Sequence, residues 1–584
     1  MAACPYNPAS EEYADFLFHY STLDVPPRSG ELPSGRCGEY ITQDYAVFYA
    51  PLDDILPLSM EKYPYYTIPN LYTLLDSGNM ELSGIRATLN TPALANGGQG
   101  VLIGLIDTGI DYQNPLFQTA TGKTRILGIW DQTLPDPQSG EPAGVPDYFP
   151  DSGISYGTEY NEEAINQALA SPDPLAVVPS MDTDGHGTFL AGIAAGGELS
   201  DGSFLGAAPR ANLAVVKLKP AKTYLRDYYL ISPDALAFQE NDIMMGIKYL
   251  RVLAHRKRMP LVILIALGSN LGSHEGLSPL SASLQDTARF LGFCAVIAAG
   301  NETGLSHHFE GSIPAGDAFQ DVEIRVGEPE SQTGFVTELW ASDADTYHVG
   351  LVSPSGEESG RIPLLPGNEV RIPFLLEGSA VTISYNRIET TTGRQMVFLR
   401  FEKPAPGIWR VRVYNSAYFT GRYHMWLPVD GFLSRQTVFL NPSPNNTITL
   451  PGNSAGPITV AAYNHRTGGI DIHSSRGYSL SGQVKPDLAA PGVSIFGPTI
   501  KGAGGYPSMT YRTGTSVAAA HVAGAAASLL SWGIVEKNDR FMSQASVRSY
   551  LIRGANRNPA QSYPNREWGY GTLDLYHTYL NLRN

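Results

Sequence analysis

The chain has 584 residues, of which 43% are hydrophobic and 16% charged, and its formal net charge is −16. This composition is typical of a folded globular protein long enough for several domains, and the acidic balance argues against nucleic acid as a partner. Its three cysteines, Cys4, Cys37 and Cys294, are too few and too far apart to form a disulfide framework.

The first residues lack the features of a targeting segment. Residues 1–6 contain neither the basic region nor the apolar region of a signal peptide. We also find no apolar run of the roughly 18 residues that a membrane span needs. We therefore expect synthesis in the cytoplasm, no membrane span, and, for any exit from the cell, a non-classical route.

Residues 1–76 are expected to form a first unit. A helix-like stretch runs from 11 to 20, a strand-like stretch from 45 to 50, and a segment rich in Pro and Tyr continues to Leu75. The unit is short and rich in residues that break regular structure, so its role depends on the rest of the chain.

From Val101 onward, buried strands alternate with helices. Continuous apolar runs begin near 101, 212, 261, 295 and 457, as expected for strands covered on both faces. Apolar residues at 243, 247, 250 and 254 follow helical spacing. This alternation predicts an α/β domain with a mostly parallel sheet.

Between 318 and 445 the pattern changes to short strands. Period-two alternation and turn residues mark eight stretches, 321–327, 335–342, 346–354, 368–376, 379–388, 394–403, 407–416 and 421–429. They predict an all-β sandwich, with a jelly roll as the expected form, inserted into the α/β domain. Three tryptophans in it are either ligand platforms or, more often in such sandwiches, core residues: Trp340, Trp409 and Trp426.

Asp107, His186 and Ser516 are the candidate catalytic residues. Asp107 ends a buried strand, while His186 and Ser516 each open a helix of small residues beside glycine. Each residue taken alone also has a structural interpretation. Asp107 could cap a helix or turn, His186 could be a hydrogen-bonded core histidine, and Ser516 could serve close helix packing. Their order along the chain, Asp then His then Ser, is one of the known orders of a Ser-His-Asp triad. Asn301 follows another strand, where its amide is an oxyanion donor or a turn residue.

Short motifs in the two α/β segments resemble those of subtilisin-like serine proteases. They are Asp-Thr-Gly-Ile-Asp at 107–111, His-Gly-Thr at 186–188, Gly-Ala-Ala-Pro at 206–209, Ala-Ala-Gly-Asn at 298–301, Ser-Ser-Arg-Gly at 474–477, Lys-Pro-Asp-Leu-Ala-Ala-Pro-Gly at 485–492 and Gly-Thr-Ser at 514–516. The resemblance covers about 95–315 and 446–584 and implies the subtilisin-like α/β fold.

The resemblance implies a role for each candidate. Ser516 would attack the peptide carbonyl, His186 would act as general base and then acid, and Asp107 would orient the imidazole. Asn301 and the amide of Ser516 would bind the oxyanion. The strand that matches the family's substrate-pairing strand consists of Ala266, Leu267 and Gly268.

A narrower resemblance is to the Csp proteases of clostridial spore germination. It is carried by Asn-Pro-Leu-Phe at 114–117, Thr-Arg-Ile at 124–126 and Ile-Trp-Asp-Gln-Thr at 129–133. It implies an N-terminal prodomain that remains bound after self-cleavage near 75–78, and association with spores. The expected divisions are a prodomain at 1–76, the catalytic domain at 77–317 and 446–584, and the β insertion at 318–445.

These patterns predict a serine endopeptidase that processes its own prodomain, with activation of a cortex-hydrolase zymogen as a Csp-like role. The alternative is a prodomain-blocked or signalling pseudoprotease that acts as a binding protein. Expected partners are a protein or peptide substrate and the cleaved prodomain. We expect no required cofactor. Calcium stays open, because no loop has the carboxylate spacing of a calcium site.

Overall fold

The centre of the protein is a nine-stranded, mostly parallel sheet. The computed structural model describes residues 7–19, 37–42, 44–75, 85–89, 91, 96–135, 154–342, 344–363, 369–502 and 505–582. In order across the sheet, the strands are Gly469–Ile470, Ile458–Asn464, Phe293–Ala298, Leu261–Ile265, Leu102–Asp107, Asn212–Lys217, Ile126–Asp131 and Thr158–Asn161, with Leu488–Pro491 also paired to Ile458–Asn464. Only Gly469–Ile470 and Thr158–Asn161 run antiparallel to their neighbours.

The middle strands are buried along their whole length because helices cover both faces of the sheet. Leu102–Asp107, Leu261–Ile265 and Phe293–Ala298 are buried at every position. This explains why their sequences are continuous apolar runs and not alternating ones. The predicted α/β architecture is confirmed.

Two helices from distant parts of the chain share one face of this sheet. They are His186–Ala195 and Thr515–Leu530, and their small side chains join one buried cluster with the strands. The remaining helices of the described chain are Leu52–Ile55, Ile85–Leu89, Glu162–Ala170, Pro174–Val177, Thr223–Tyr229, Glu240–Lys257, Pro279–Thr287, Gln544–Gly554 and Leu575–Asn581. Glu240–Lys257 confirms the helix predicted from the spacing at 243–254.

One helical segment of the described chain, Thr515–Val535, is long and apolar enough to cross a membrane by length and composition. Polar residues, among them His521 and Ser528, interrupt the segment, so it is not a continuous apolar run. Because 89% of the segment is buried inside the protein, its apolar character reflects packing in the core.

The N-terminal segment contains a strand where a helix was expected. Residues 13–19 form the strand Tyr13–His19, which pairs antiparallel with Tyr45–Pro51, and Cys37–Tyr40 completes this sheet. The expected helix at 11–20 is therefore wrong. The stretch is rich in aromatic residues, and pairing with a distant strand, from Tyr13 with Pro51 to His19 with Tyr45, overrides its local helical pattern. Cys37 is disulfide-bonded, which a sequence with three scattered cysteines did not suggest, whereas Cys294 is free and buried.

All eight strands predicted for the β insertion are present. They are Gln320–Val326, Gly334–Ala341, Thr346–Val352, Glu369–Phe374, Ser379–Asn386, Met396–Glu402, Gly407–Ala417 and Arg422–Trp426. Together with two further strands, His308–Ser312 and Val438–Phe439, they form a six-stranded and a four-stranded antiparallel sheet. The first added strand precedes the expected boundary at 318.

The three tryptophans of the insertion are core residues. Trp340, Trp409 and Trp426 are at most 1% exposed, and each indole N–H has an acceptor inside the protein. Of the two interpretations, ligand platform and core, the structure supports the core.

Candidate active site

Asp107 and His186 meet at the carboxyl end of the central sheet. Asp107 is the last residue of its strand, and His186 is the first residue of its helix. The Nδ1 atom of His186 lies 2.8 Å from Oδ1 and 2.9 Å from Oδ2 of Asp107. Both side chains are almost fully buried, so the carboxylate holds the ring in one orientation.

Because Gly187 has no side chain, the helix that begins at His186 can approach Asp107 closely. A Cβ atom there would lie 2.1 Å from the carbonyl oxygen of Gly109 and 3.2 Å from Oδ1 of Asp107. The backbone N–H of Gly187 instead donates to the hydroxyl of Thr108, at 3.1 Å. The helix therefore packs directly on the loop that follows Asp107.

Asp182 ties these two segments together, a role that the sequence analysis did not assign. Its Oδ1 accepts hydrogen bonds from the hydroxyl of Thr108 and from the N–H groups of Asp184 and Gly185. Its Oδ2 accepts from the backbone and hydroxyl of Thr188, at 2.9 and 2.6 Å. A buried carboxylate thus satisfies amides at the start of the histidine helix and fixes the neighbouring loop.

Ser516 lies in the first turn of the helix Thr515–Leu530. Gly514 precedes this helix with φ 154° and ψ −178°, a conformation that is essentially restricted to glycine. Ser516 is fully buried, and its Oγ makes no hydrogen bond within the described part of the chain. Its backbone N–H is among the first amides of the helix, which have no acceptor in the preceding turn.

Asn301 is held beside Ser516 by a reciprocal contact with Thr515. The N–H of Thr515 donates to Oδ1 of Asn301 at 3.0 Å, and the N–H of Gly300 donates to the hydroxyl of Thr515, also at 3.0 Å. With Oδ1 engaged, the Nδ2 group of Asn301 is the end of the amide left to donate to a ligand. The sequence analysis found Asn301 but not the part played by Thr515.

The strand Leu71–Leu74, here called the tail strand, fills the groove beside these residues. On one side it pairs antiparallel with Leu267–Gly268, and on the other with Phe238–Gln239. The N–H of Leu75 donates to the carbonyl of Ala266 at 3.1 Å. The three residues expected to pair with substrate therefore pair with a segment of the chain itself.

Leu75 brings the tail strand to the catalytic residues. Its carbonyl oxygen lies 3.4 Å from Nε2 of His186. Its side chain is 3% exposed and packs against Gly268, where a Cβ would come within 3.0 Å of a Leu75 methyl group. Residues 76–78, where self-cleavage was also expected, lie outside the described residues.

The Subtilase family profile matches residues 98–324 and 436–571, which include Asp107, His186, Asn301 and Ser516. The chain belongs to the subtilase family. This family consists of subtilisin-like serine endopeptidases, and its fold is the one described above. The unmatched residues 325–435 contain most of the β insertion.

Among solved structures, this subtilase is similar to the Clostridium perfringens CspB protease. The two share 29% sequence identity with a TM-score of 0.74, over 86% of this chain and 96% of that one. The similarity shows that the subtilase is Csp-like, and it extends well beyond the residues that the family profile matches.

Curated relatives match over a shorter region. The subtilase is 33% identical over 132 residues to the subtilisin-like protease SBT2.2 of Arabidopsis thaliana, and 37% identical over 124 residues to the membrane-bound transcription factor site-1 protease of mouse. These alignments span 15% and 11% of the lengths of those proteins.

In the described part of the chain, no group of three or more His, Cys, Asp or Glu side chains is arranged to hold a metal ion.

Proposed function

We propose that this subtilase is an active serine endopeptidase that uses Ser516, His186 and Asp107. Ser516 attacks a peptide carbonyl, and His186 takes its proton and returns it to the leaving amine. Asp107 keeps Nδ1–H of His186 oriented and stabilises the imidazolium. Asn301 and the N–H of Ser516 donate to the oxyanion of the tetrahedral intermediate. Water then hydrolyses the acyl-enzyme by the same route.

The observation that carries this proposal is the contact of His186 with both oxygens of Asp107 in a buried setting. A buried pair of this kind fixes the tautomer that leaves the lone pair of Nε2 available as a base. The nucleophile needs such a base, because a serine hydroxyl is weakly nucleophilic by itself. In this mechanism no step requires a metal ion.

We further propose that the enzyme cuts its own chain after Leu75. The tail strand lies where a substrate strand would pair, and the Leu75 oxygen is 3.4 Å from His186 Nε2. The carbonyl carbon of Leu75 lies one bond, about 1.2 Å, from that oxygen, so the next peptide bond is presented to the catalytic residues. Residues 1–75 then act as a prodomain, released from the chain by one cut.

Denaturing gels of the full chain test this proposal. Wild type should yield a fragment of about 8 kDa, in proportion to 63.1 kDa for 584 residues, whereas Ser516→Ala should remain one chain. Asn301→Ala should slow the cut by about 10²–10³-fold, as the loss of one oxyanion donor does in a subtilisin. A fluorophosphonate probe should label Ser516 in wild type. Equal migration of wild type and Ser516→Ala would contradict self-cleavage.

The second candidate function is a prodomain-blocked binding protein, and the occupied groove favours it. The buried ammonium of Lys222 donates to Asp15 at 3.0 Å and to the carbonyls of Pro8 and Tyr13, which anchors the N-terminal segment on the catalytic domain. A cleaved segment held in this way would stay in the groove. In that case the chain would cut itself once, and the probe would then fail to label Ser516.

For the biological role, we propose activation of a cortex-hydrolase zymogen in spores. The proposal rests on the resemblance to the Csp group. Incubating such a zymogen with wild type should produce the shortened hydrolase, and incubation with Ser516→Ala should not. Cleavage by neither protein would contradict this role while leaving self-cleavage intact.

A further inference from the structure

Tyr72 of the tail strand reaches a buried carboxylate in the groove. Its side chain is fully buried, and its hydroxyl donates to Oε1 of Glu240 at 3.2 Å. Glu240 is 1% exposed and is the first residue of the helix Glu240–Lys257. Burial raises the pKa of the Glu240 carboxyl and that of the Tyr72 phenol, so the phenol stays a donor.

The carboxylate of Glu240 is fixed in position by the catalytic domain. The N–H of Leu280, at the start of the helix Pro279–Thr287, donates to Oε1 of Glu240 at 3.0 Å. Glu240 follows Gln239 directly, and Gln239 pairs with Leu71 of the tail strand. The acceptor is therefore part of the groove wall, and the Leu280 contact holds it there without the tail strand.

Asn70, the residue before the tail strand, also contacts Glu240. Its N–H donates to Oε2 of Glu240 at 3.3 Å, and its carbonyl accepts from the N–H of Glu240 at 2.9 Å. Its side-chain Nδ2 donates to the carbonyl of Leu271 at 2.7 Å, in the segment that follows the opposite wall of the groove. Tyr72 of the tail strand and Asn70, which precedes the strand, thus contact groups of the catalytic domain on both sides of it.

The position of each tail residue relative to the cut gives the substrate position that it would occupy. If the residue whose carbonyl is attacked is called P1, Leu75 is P1, Tyr72 is P4 and Asn70 is P6. The side chain at P1 packs on Gly268, and the side chain at P4 ends on Glu240.

We propose that Glu240 makes this groove selective for tyrosine at P4, and that the substrate class is an extended segment with the pattern Asn-x-Tyr-x-x-Leu before the cut. The proposal rests on the endopeptidase function proposed above. A phenylalanine at P4 would fill the same apolar space but remove the hydroxyl donor from Oε1 of Glu240, which would keep the N–H of Leu280. A site built to bind a hydroxyl rejects the analogue that lacks it far more strongly than an apolar pocket rejects an extra methylene.

Two internally quenched peptides test the proposal on the full wild-type chain. One has the sequence of residues 70–78, and the other differs only by phenylalanine in place of the tyrosine. A hydrogen bond to a buried acceptor corresponds to a difference of about tenfold, so kcat/KM should be higher for the tyrosine peptide by about that factor. In Glu240→Gln, the ratio between the rates for the two peptides should shrink towards one.

Self-cleavage supplies a second readout with a matched control. Tyr72→Phe should slow the cut after Leu75, whereas Tyr65→Phe should not. Tyr65 also donates to a buried carboxylate, Glu338, at 2.6 Å, but outside the groove. The two variants lose the same kind of hydrogen bond, so a general loss of stability would affect both.

The outcomes separate the two proposals. An uncut wild-type chain that also leaves both peptides intact contradicts the endopeptidase function, and the P4 proposal fails with it. Equal cleavage of the two peptides by wild type overturns selectivity at Glu240 alone. If wild type cuts itself but neither peptide, the self-cleavage rates of the two variants decide. Equal rates for Tyr72→Phe and Tyr65→Phe overturn selectivity at Glu240, and slower self-cleavage in Tyr72→Phe alone supports it.

Discussion

Gly187→Ala should disable catalysis although alanine favours helices. In an ordinary helix this change stabilises the fold by roughly 1 kcal/mol. Here the new Cβ would lie 2.1 Å from the Gly109 oxygen, and such contacts essentially never occur below 3.0 Å, so helix and loop must separate by at least about 0.9 Å. That displacement would stretch the 2.8 Å contact between His186 and Asp107. A misplacement of about 1 Å can cost about 10²-fold in rate.

The assay compares self-cleavage and fluorophosphonate labelling rates, with thermal unfolding measured in parallel. We expect Gly187→Ala to be about 100-fold slower in self-cleavage and to unfold at a lower temperature than wild type. Gly246→Ala is the matched control, because its Cβ would meet only the ends of apolar side chains, at 3.2 Å and beyond. Wild-type rates in Gly187→Ala would refute the argument that close approach of the backbone positions the dyad.

Two further predictions concern acid and metal. Burial lowers the pKa of His424 to about 3, and its ring lies 3.0 Å from that of His308. The folded protein therefore favours neutral His424. The stability that this preference contributes is complete above the unfolded pKa of about 6.5 and is lost as the pH falls from there towards about 3. The urea midpoint should therefore fall over this range more steeply in wild type than in His424→Phe, and equal slopes would contradict the reasoning. Dialysis against EDTA should leave the self-cleavage rate unchanged, because the proposed mechanism uses no metal ion, and restoration of a lost rate by added calcium would overturn this expectation.

The sequence predicted a structural element correctly where the residues of one segment alone determine that element. Buried strands, the helix at Glu240–Lys257 and the eight strands of the insertion each have a local pattern, and each was found. The candidates Asp107, His186 and Ser516 were found because glycines flank them within a few residues, and because their order in the chain matches a known triad.

The residues that were missed depend on contacts between distant segments. Asp182 lies in a polar run and has no local pattern of its own, but its partners come from two parts of the chain. The strand Phe238–Gln239 is only two residues long and is defined by its pairing with the tail strand. The wrong helix at 11–20 has the same cause, since the partner strand at Tyr45–Pro51 decides its conformation.

The groove of this enzyme is made of two short strands that would otherwise be open edges. Leu267–Gly268 and Phe238–Gln239 each present backbone donors and acceptors to the tail strand between them. Without that strand, both edges would be exposed to pairing with any extended polypeptide, including another copy of the chain. The segment that we propose is cleaved therefore also covers both edges against such pairing. Any process that removes the tail strand from the groove would have to put a substrate in its place, because the two uncovered edges would otherwise favour self-association.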